Sequence, residues 1–176
     1  MGLGLNEEKD RSGSVDQAHV DHDALVATMK SGANWFYWIA GLSLVNTLVY
    51  IGGGDWSFLA GLGITQLADG FIDVAIENGA PSMLKAVAVA FDFFILGMFA
   101  FFGYYAGKRS SVVFLIGITI YVLDGLLLLA LGVLASAGFH AFALFFIIRG
   151  FLACRQLNAF EASRPFQPPP PPTASA

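Results

Sequence analysis

Charged residues are scarce in this chain, and their scarcity points to its class. Only 12 % of the 176 residues are charged, whereas roughly a quarter are charged in a soluble globular domain. Hydrophobic residues make up 56 % of the sequence, and its mean hydropathy is +0.68. We therefore interpret the chain as an integral membrane protein that is surrounded mainly by lipid.

Cysteine is nearly absent from the sequence, and so are clusters of basic residues. Cys154 is the single cysteine, which excludes an intramolecular disulfide. The net charge is −4 and no basic patch occurs, so we expect no nucleic-acid partner. The N-terminus lacks the charged-then-apolar pattern of a cleaved signal peptide. The first apolar run is therefore expected to be an uncleaved anchor.

Four long apolar runs are present. A transmembrane helix needs about 20 predominantly apolar residues, and each run approaches or exceeds this length. The pattern predicts an all-α integral membrane fold, a four-helix transmembrane bundle. The predicted membrane domain covers residues 33–157, with spans at about 34–51, 82–106, 112–134 and 137–154.

The segment between the first two spans predicts a helix that does not cross the membrane. Apolar residues recur at helical spacing over about 56–78, which predicts an amphipathic interfacial helix. Asp69, Asp73 and Glu77 follow one another at intervals of four residues, and three carboxylates would make a fifth span costly. A re-entrant dip of its first half, residues 58–67, is the alternative.

The tails and the basic residues predict an orientation. Residues 1–32 form a polar tail with a short juxtamembrane helix that Gly32 is expected to end, and residues 158–176 form a proline-rich tail. Seven Lys and Arg residues lie on the side of both tails, whereas Lys85 stands alone on the other side. The positive-inside rule then predicts cytoplasmic termini in a plasma (inner) membrane.

Three charged residues lie inside the predicted spans, namely Asp92, Asp124 and Arg149. At 1.5 Å per residue, each lies roughly 15–18 Å from the outer end of its span. They are a candidate intramembrane charge cluster, with Tyr121 as a candidate hydrogen-bond partner on the Asp124 face. The alternative is that Arg149 snorkels to the cytoplasmic surface while both aspartates are neutral and structural.

His140 shares the fourth span with Arg149, nine residues earlier. Nine residues correspond to half a rotation of a helix. If Arg149 faces the bundle interior, His140 is therefore expected to face away from it, as an interfacial polar residue.

Small and aromatic residues predict helix contacts. Gly103 and Gly107 have GxxxG spacing, and Gly132 and Ser136 have its small-residue equivalent. These four residues and Gly97 are the predicted helix-packing residues. Many of the 17 phenylalanines cluster in the second span. We therefore expect a homo-oligomer or a membrane-protein partner.

No catalytic motif is found. Ser136 and His140 lie outside any Gly-x-Ser-x-Gly elbow, and no phosphate-binding, zinc or dinucleotide motif occurs. We expect no enzyme activity, metal or cofactor. The leading hypothesis is a small non-catalytic multi-pass protein that acts as a structural or assembly subunit. The alternative is a small ion- or proton-coupled transporter or channel, working as an oligomer through Asp92, Asp124 and Arg149.

Overall fold

The computed structural model describes residues 3–53 and 61–163, with side chains from residue 21 onward. This part of the chain contains five helices and no strand. The helices are α1 Leu3–Ile51, α2 Gly63–Glu77, α3 Leu84–Gly107, α4 Ser111–Ala130 and α5 Leu134–Ala162.

Three of these helices, α3, α4 and α5, are long and apolar enough to cross a membrane. The all-helical membrane fold is thus confirmed with three candidate spans, not with four. The remaining predicted run, 34–51, is helical and forms the C-terminal part of α1. It contains Asn34, Ser43, Asn46 and Thr47, and these polar residues lower its hydropathy.

The long helix α1 lies between α3 and α5. The ring centroid of His22 lies 6.1 Å from that of Phe160, and the ring centroid of Trp35 lies 5.1 Å from that of Phe146. A residue later in α1 thus contacts a residue earlier in α5. The two helices are therefore antiparallel. Their pairing explains why α5 continues to Ala162, beyond the end that was predicted for the fourth span.

Gly32 does not end a helix, contrary to the prediction, because α1 passes through it without a break. A Cβ atom built on Gly32 would lie 2.6 Å from the Cα of Gly150 in α5. Helices approach this closely only where neither residue has a side chain. Gly32 is therefore a crossing point between α1 and α5.

A group of phenylalanines fills the centre of the bundle. The ring of Phe36 in α1 lies 6.0–6.3 Å from the rings of Phe99, Phe102 and Phe114, the range of favourable aromatic pairs. Gly117 makes room for it, since a Cβ atom there would lie 2.6 Å from the Phe36 ring. This core joins α1 to α3 and α4.

The predicted GxxxG pair of α3 contacts α1. A Cβ atom on Gly103 would lie 2.8 Å from the Tyr37 ring, and one on Gly107 would lie 3.9 Å from the Cβ of Ala33. Both glycines thus face a neighbouring helix, and the contact at Gly103 is the tighter one.

The other predicted packing residues have different roles. Gly97 has no atom within 4 Å of an added Cβ, so it faces outward. Gly132 lies in the turn between α4 and α5 with a φ of +77°, a conformation that glycine adopts without strain. Ser136 is buried, 2 % exposed, and its carbonyl oxygen accepts a hydrogen bond from within α5.

Candidate functional site

The beginning of α2 is inserted into the bundle, between α3 and α4. Leu62 is 1 % exposed, and Gly63 and Thr65 are buried. A Cβ atom on Gly63 would lie 2.7 Å from the Leu128 side chain. The described start of this helix is therefore packed inside the bundle, whereas Phe71 is exposed on its outward face. Residues 58–60 of the predicted re-entrant segment lie outside the described residues.

Asp124 of α4 caps this inserted helix end. Its Oδ2 accepts a hydrogen bond from the amide of Gly63 at 2.9 Å, and its Oδ1 accepts one from Ile64 at 2.8 Å. The first amides of a helix have no partner within the helix, and negative charge is favourable beside them. Leu62 has no side-chain acceptor for them, so the cap comes from another helix.

His140 of α5 completes the site. Its Nε2 lies 2.8 Å from Asp124 Oδ2, and its Nδ1 lies 2.8 Å from the carbonyl oxygen of Ser136. A carbonyl oxygen only accepts, so Nδ1 carries a hydrogen. The other hydrogen bond joins Nε2 of the imidazole to the carboxylate of Asp124. Asp124 and His140 form a buried acid–base pair, at 6 % and 1 % exposure.

Tyr121 and Gly125 shape the space around this pair. The Tyr121 ring stacks on the His140 ring at a centroid distance of 4.2 Å, while its buried hydroxyl has no hydrogen-bond partner within the described residues. Tyr121 thus lies on the predicted face but contacts the histidine rather than the carboxylate. A Cβ atom on Gly125 would lie 3.1 Å from the Cβ of His140, so a glycine there lets α5 approach.

The orientation of α5 is the reverse of the one that the candidate charge cluster required. His140 and Arg149 do point in opposite directions, but His140 is buried and Arg149 is exposed. An imidazole can be neutral and needs only two hydrogen-bond partners, whereas a guanidinium stays charged and carries five N–H donors. Burying His140 is therefore the less costly orientation.

The three intramembrane charges do not form one cluster. Asp92 is 2 % exposed and accepts a hydrogen bond from Thr47 Oγ1 at 2.9 Å. Asp124 pairs with His140, and the guanidinium carbon of Arg149 lies 5.7 Å from the centroid of the Phe145 ring. Each charge thus has its own surroundings.

Asp92 belongs instead to a second group, in which α1, α2 and α3 each contribute one polar face. Tyr50 donates a hydrogen bond to Asp73 at 3.0 Å, and the Lys85 ammonium lies 4.5 Å from the centroid of the Tyr50 ring. We call this group the α1/α2/α3 polar cluster. Six members are joined by contacts or electrostatic interaction, namely Thr47, Tyr50, Asp69, Asp73, Lys85 and Asp92. Ser43 and Gln66 belong to the same faces of α1 and α2 by helical spacing.

The α1/α2/α3 polar cluster contains polar atoms that form no hydrogen bond within the described residues. Four buried polar atoms have no hydrogen-bond partner within the described residues: Ser43 Oγ, Gln66 Nε2, Asp69 Oδ1 and Asp92 Oδ1. Burial and the charges of Asp92 and Asp73 raise the pKa of Asp69 to about 7, against an opposing effect of Lys85. Asp69 therefore gains and loses its proton near neutral pH.

Among the described residues, no group of three or more His, Cys, Asp or Glu side chains could hold a metal ion. Comparisons with protein-family models, curated proteins and solved structures find no match to this chain. The function is therefore inferred from the residues themselves.

Proposed function

We propose that this chain is a non-catalytic membrane protein that binds and releases protons through the α1/α2/α3 polar cluster. It would work as an oligomer, as a proton-coupled transporter or channel, because so few helices rarely enclose a path alone. One observation carries the proposal: three helices direct polar faces toward each other around the buried Asp92, whose Oδ1 has no partner within the described residues.

The carboxylates of the cluster form a series of increasing burial. Asp73 is exposed, Asp69 is half-buried and Asp92 is buried. Asp69 interacts electrostatically with both of the others. A proton that enters at Asp73 would thus meet Asp69, whose pKa of about 7 suits exchange at neutral pH, before it reaches Asp92. This order supports a path from the surface into the bundle.

Proton flux into liposomes that contain the purified protein tests the proposal. With an imposed pH gradient and a pH-sensitive dye inside, we expect flux well above that of empty liposomes. Asp92→Asn and Asp69→Asn should reduce it about tenfold or more, since an amide cannot take up the proton. Glu77→Gln, which changes an exposed carboxylate at the end of α2, is the matched control and should leave it unchanged.

The pH dependence of this flux is expected to be centred near neutral pH. Below about pH 7, Asp69 is mostly protonated, and above it the residue is mostly charged. The rate of proton exchange through Asp69 should therefore change most steeply around pH 7 in the wild type. Wild-type liposomes that leak no faster than empty ones, at every pH from 5 to 9, would contradict the proposal.

A second candidate function, a structural or assembly subunit, is favoured by the outward face of α3. Phe93, Phe94 and Phe101 are exposed there, and between them Gly97 has no atom within 4 Å of an added Cβ. A small residue flanked by aromatic ones lets a second helix approach closely in lipid.

Purification in mild detergent distinguishes the two functions. A stoichiometric partner chain that is lost on Gly97→Leu would support the subunit role. Gly138→Leu is the control, because Gly138 also has open space at its Cβ. A homo-oligomer without a partner chain would instead support the transporter.

We further propose that residues 34–51 of α1 cross the membrane in addition to α3, α4 and α5, that both termini lie in the cytoplasm, and that the protein resides in the plasma (inner) membrane. The support is the asymmetry of Lys and Arg between the two sides, which orients most multi-pass membrane proteins.

A further inference from the structure

Arg149 is a charged side chain without a counter-charge among the described residues. It is exposed on α5, and its guanidinium carbon lies 5.7 Å from the centroid of the Phe145 ring. None of the ion pairs among the described side chains includes it. A guanidinium keeps its charge in a protein, and an unpaired charge in a lipid-facing position is costly. A partner from the surroundings would remove this cost.

The crossing of α1 and α5 fixes the depth of Arg149. Gly150 meets Gly32, so Arg149 lies beside the part of α1 that starts at Lys30 and Ser31. This is where α1 changes from a polar to an apolar sequence. A bilayer boundary at this change in sequence would place Arg149 at the level of the lipid phosphates.

The surface beside Arg149 has the form of a groove. A cavity of about 260 Å³ lies between α1 and α5, lined by Ala27, Thr28, Ser31, Phe146 and Arg149. The guanidinium and the Ser31 hydroxyl can donate hydrogen bonds into it, and no carboxylate lines it. Ala27 and Phe146 supply an apolar wall. Hydrogen-bond donors beside an apolar wall suit a phosphate that carries an acyl chain.

We propose that this groove binds the phosphate of an anionic phospholipid, in the leaflet that faces the N-terminal half of α1. Arginine binds phosphate oxygens through two parallel N–H donors, and basic pockets between membrane helices bind lipid headgroups in this way. The Ser31 hydroxyl adds a third donor, and Phe146 packs against the first carbons of the lipid chain. The site is separate from the α1/α2/α3 polar cluster and does not depend on its function.

Native mass spectrometry of the full chain tests this site. The protein is purified in detergent and mixed with phosphatidylglycerol or with phosphatidylcholine. The wild type is expected to retain one phosphatidylglycerol, and Arg149→Gln should weaken this binding about tenfold, the worth of one charge-assisted hydrogen-bonded contact. Arg155→Gln is the matched control, because Arg155 is also exposed on α5 and also lies over a ring, 5.9 Å from Phe151. It should leave the binding unchanged.

Two further variants keep the test decisive if Arg149→Gln does not fold. Arg149→Lys keeps the charge but loses the paired donors, and Ser31→Ala removes the hydroxyl, so each should weaken binding about threefold. Equal retention of phosphatidylglycerol by the wild type and these variants would overturn the proposal. Equal loss in Arg155→Gln would overturn it as well. Inorganic phosphate that displaces the lipid at millimolar concentration would show a phosphate site without lipid recognition.

Discussion

Asp124→Ala is expected to lower the free energy of unfolding by about 3–5 kcal/mol, the range for breaking a buried charged pair. The substitution leaves the amides of Gly63 and Ile64 without their acceptor, and it leaves the Nε2 of His140 without its hydrogen-bond partner. Buried donors that lose a partner keep their full desolvation cost. Thermal unfolding in detergent measures the loss, and protease cleavage near residue 62 should become faster because the start of α2 is released.

Asp124→Asn and Asp73→Ala complete this experiment. The asparagine retains one acceptor oxygen, so about half of the loss is expected, since part of the hydrogen bonding survives. Asp73→Ala removes an exposed carboxylate and should change stability by less than about 1 kcal/mol. If Asp124→Ala melts at the wild-type temperature, the cap has no energetic role and the placement of α2 is wrong.

Gly150→Ala is expected to destabilise the protein by about 2–3 kcal/mol, as overpacking of a tight contact does. The new methyl group would lie 2.6 Å from the Cα of Gly32 and 3.3 Å from the carbonyl oxygen of Met29. Both neighbours are backbone atoms, so α1 and α5 must move apart along their shared length. Thermal unfolding in detergent checks the loss.

Gly138→Ala is the control in the same helix. An added Cβ at Gly138 has no atom within 4 Å, and alanine favours a helix over glycine by about 0.5–1 kcal/mol. We therefore expect unchanged or slightly higher stability for this variant. Equal melting of both alanine variants would refute the close crossing of α1 and α5.

The helices could be predicted from the sequence more reliably than their depth. The length of the apolar runs indicated α3, α4 and α5, and apolar periodicity indicated α2 within the predicted interval 56–78. It did not show that the start of α2 is inserted, because the groups that Asp124 binds there are backbone amides, which every residue except proline has. Gly32 was misread for a similar reason. A glycine at a helix crossing looks like one at a helix end until Gly150 is placed beside it.

The candidate site was predicted only in part. The free-energy cost of exposing a carboxylate to lipid suggested that Asp92 and Asp124 point inward, and both are buried. Helical spacing placed Tyr121 on the Asp124 face, and it does lie at that site. The missing element was the rotation of α5, for which the sequence offers two solutions, with either His140 or Arg149 inside. The choice depends on hydrogen-bond partners from α4 and from the carbonyl of Ser136, which spacing within one helix does not reveal.

The cap on α2 imposes an order of assembly. Ribosomes complete α2 before they make Asp124, and His140 follows later still. Until both exist, the amides of Gly63 and Ile64 have no partner within a bilayer, where unpaired amides are costly. We therefore expect this segment to stay in water or among the headgroups. The α4–α5 hairpin, joined by a short turn at Gly132, is accordingly expected to form before α2 docks. α2 is then expected to be the last helix to take its place, although it is the second to be synthesised.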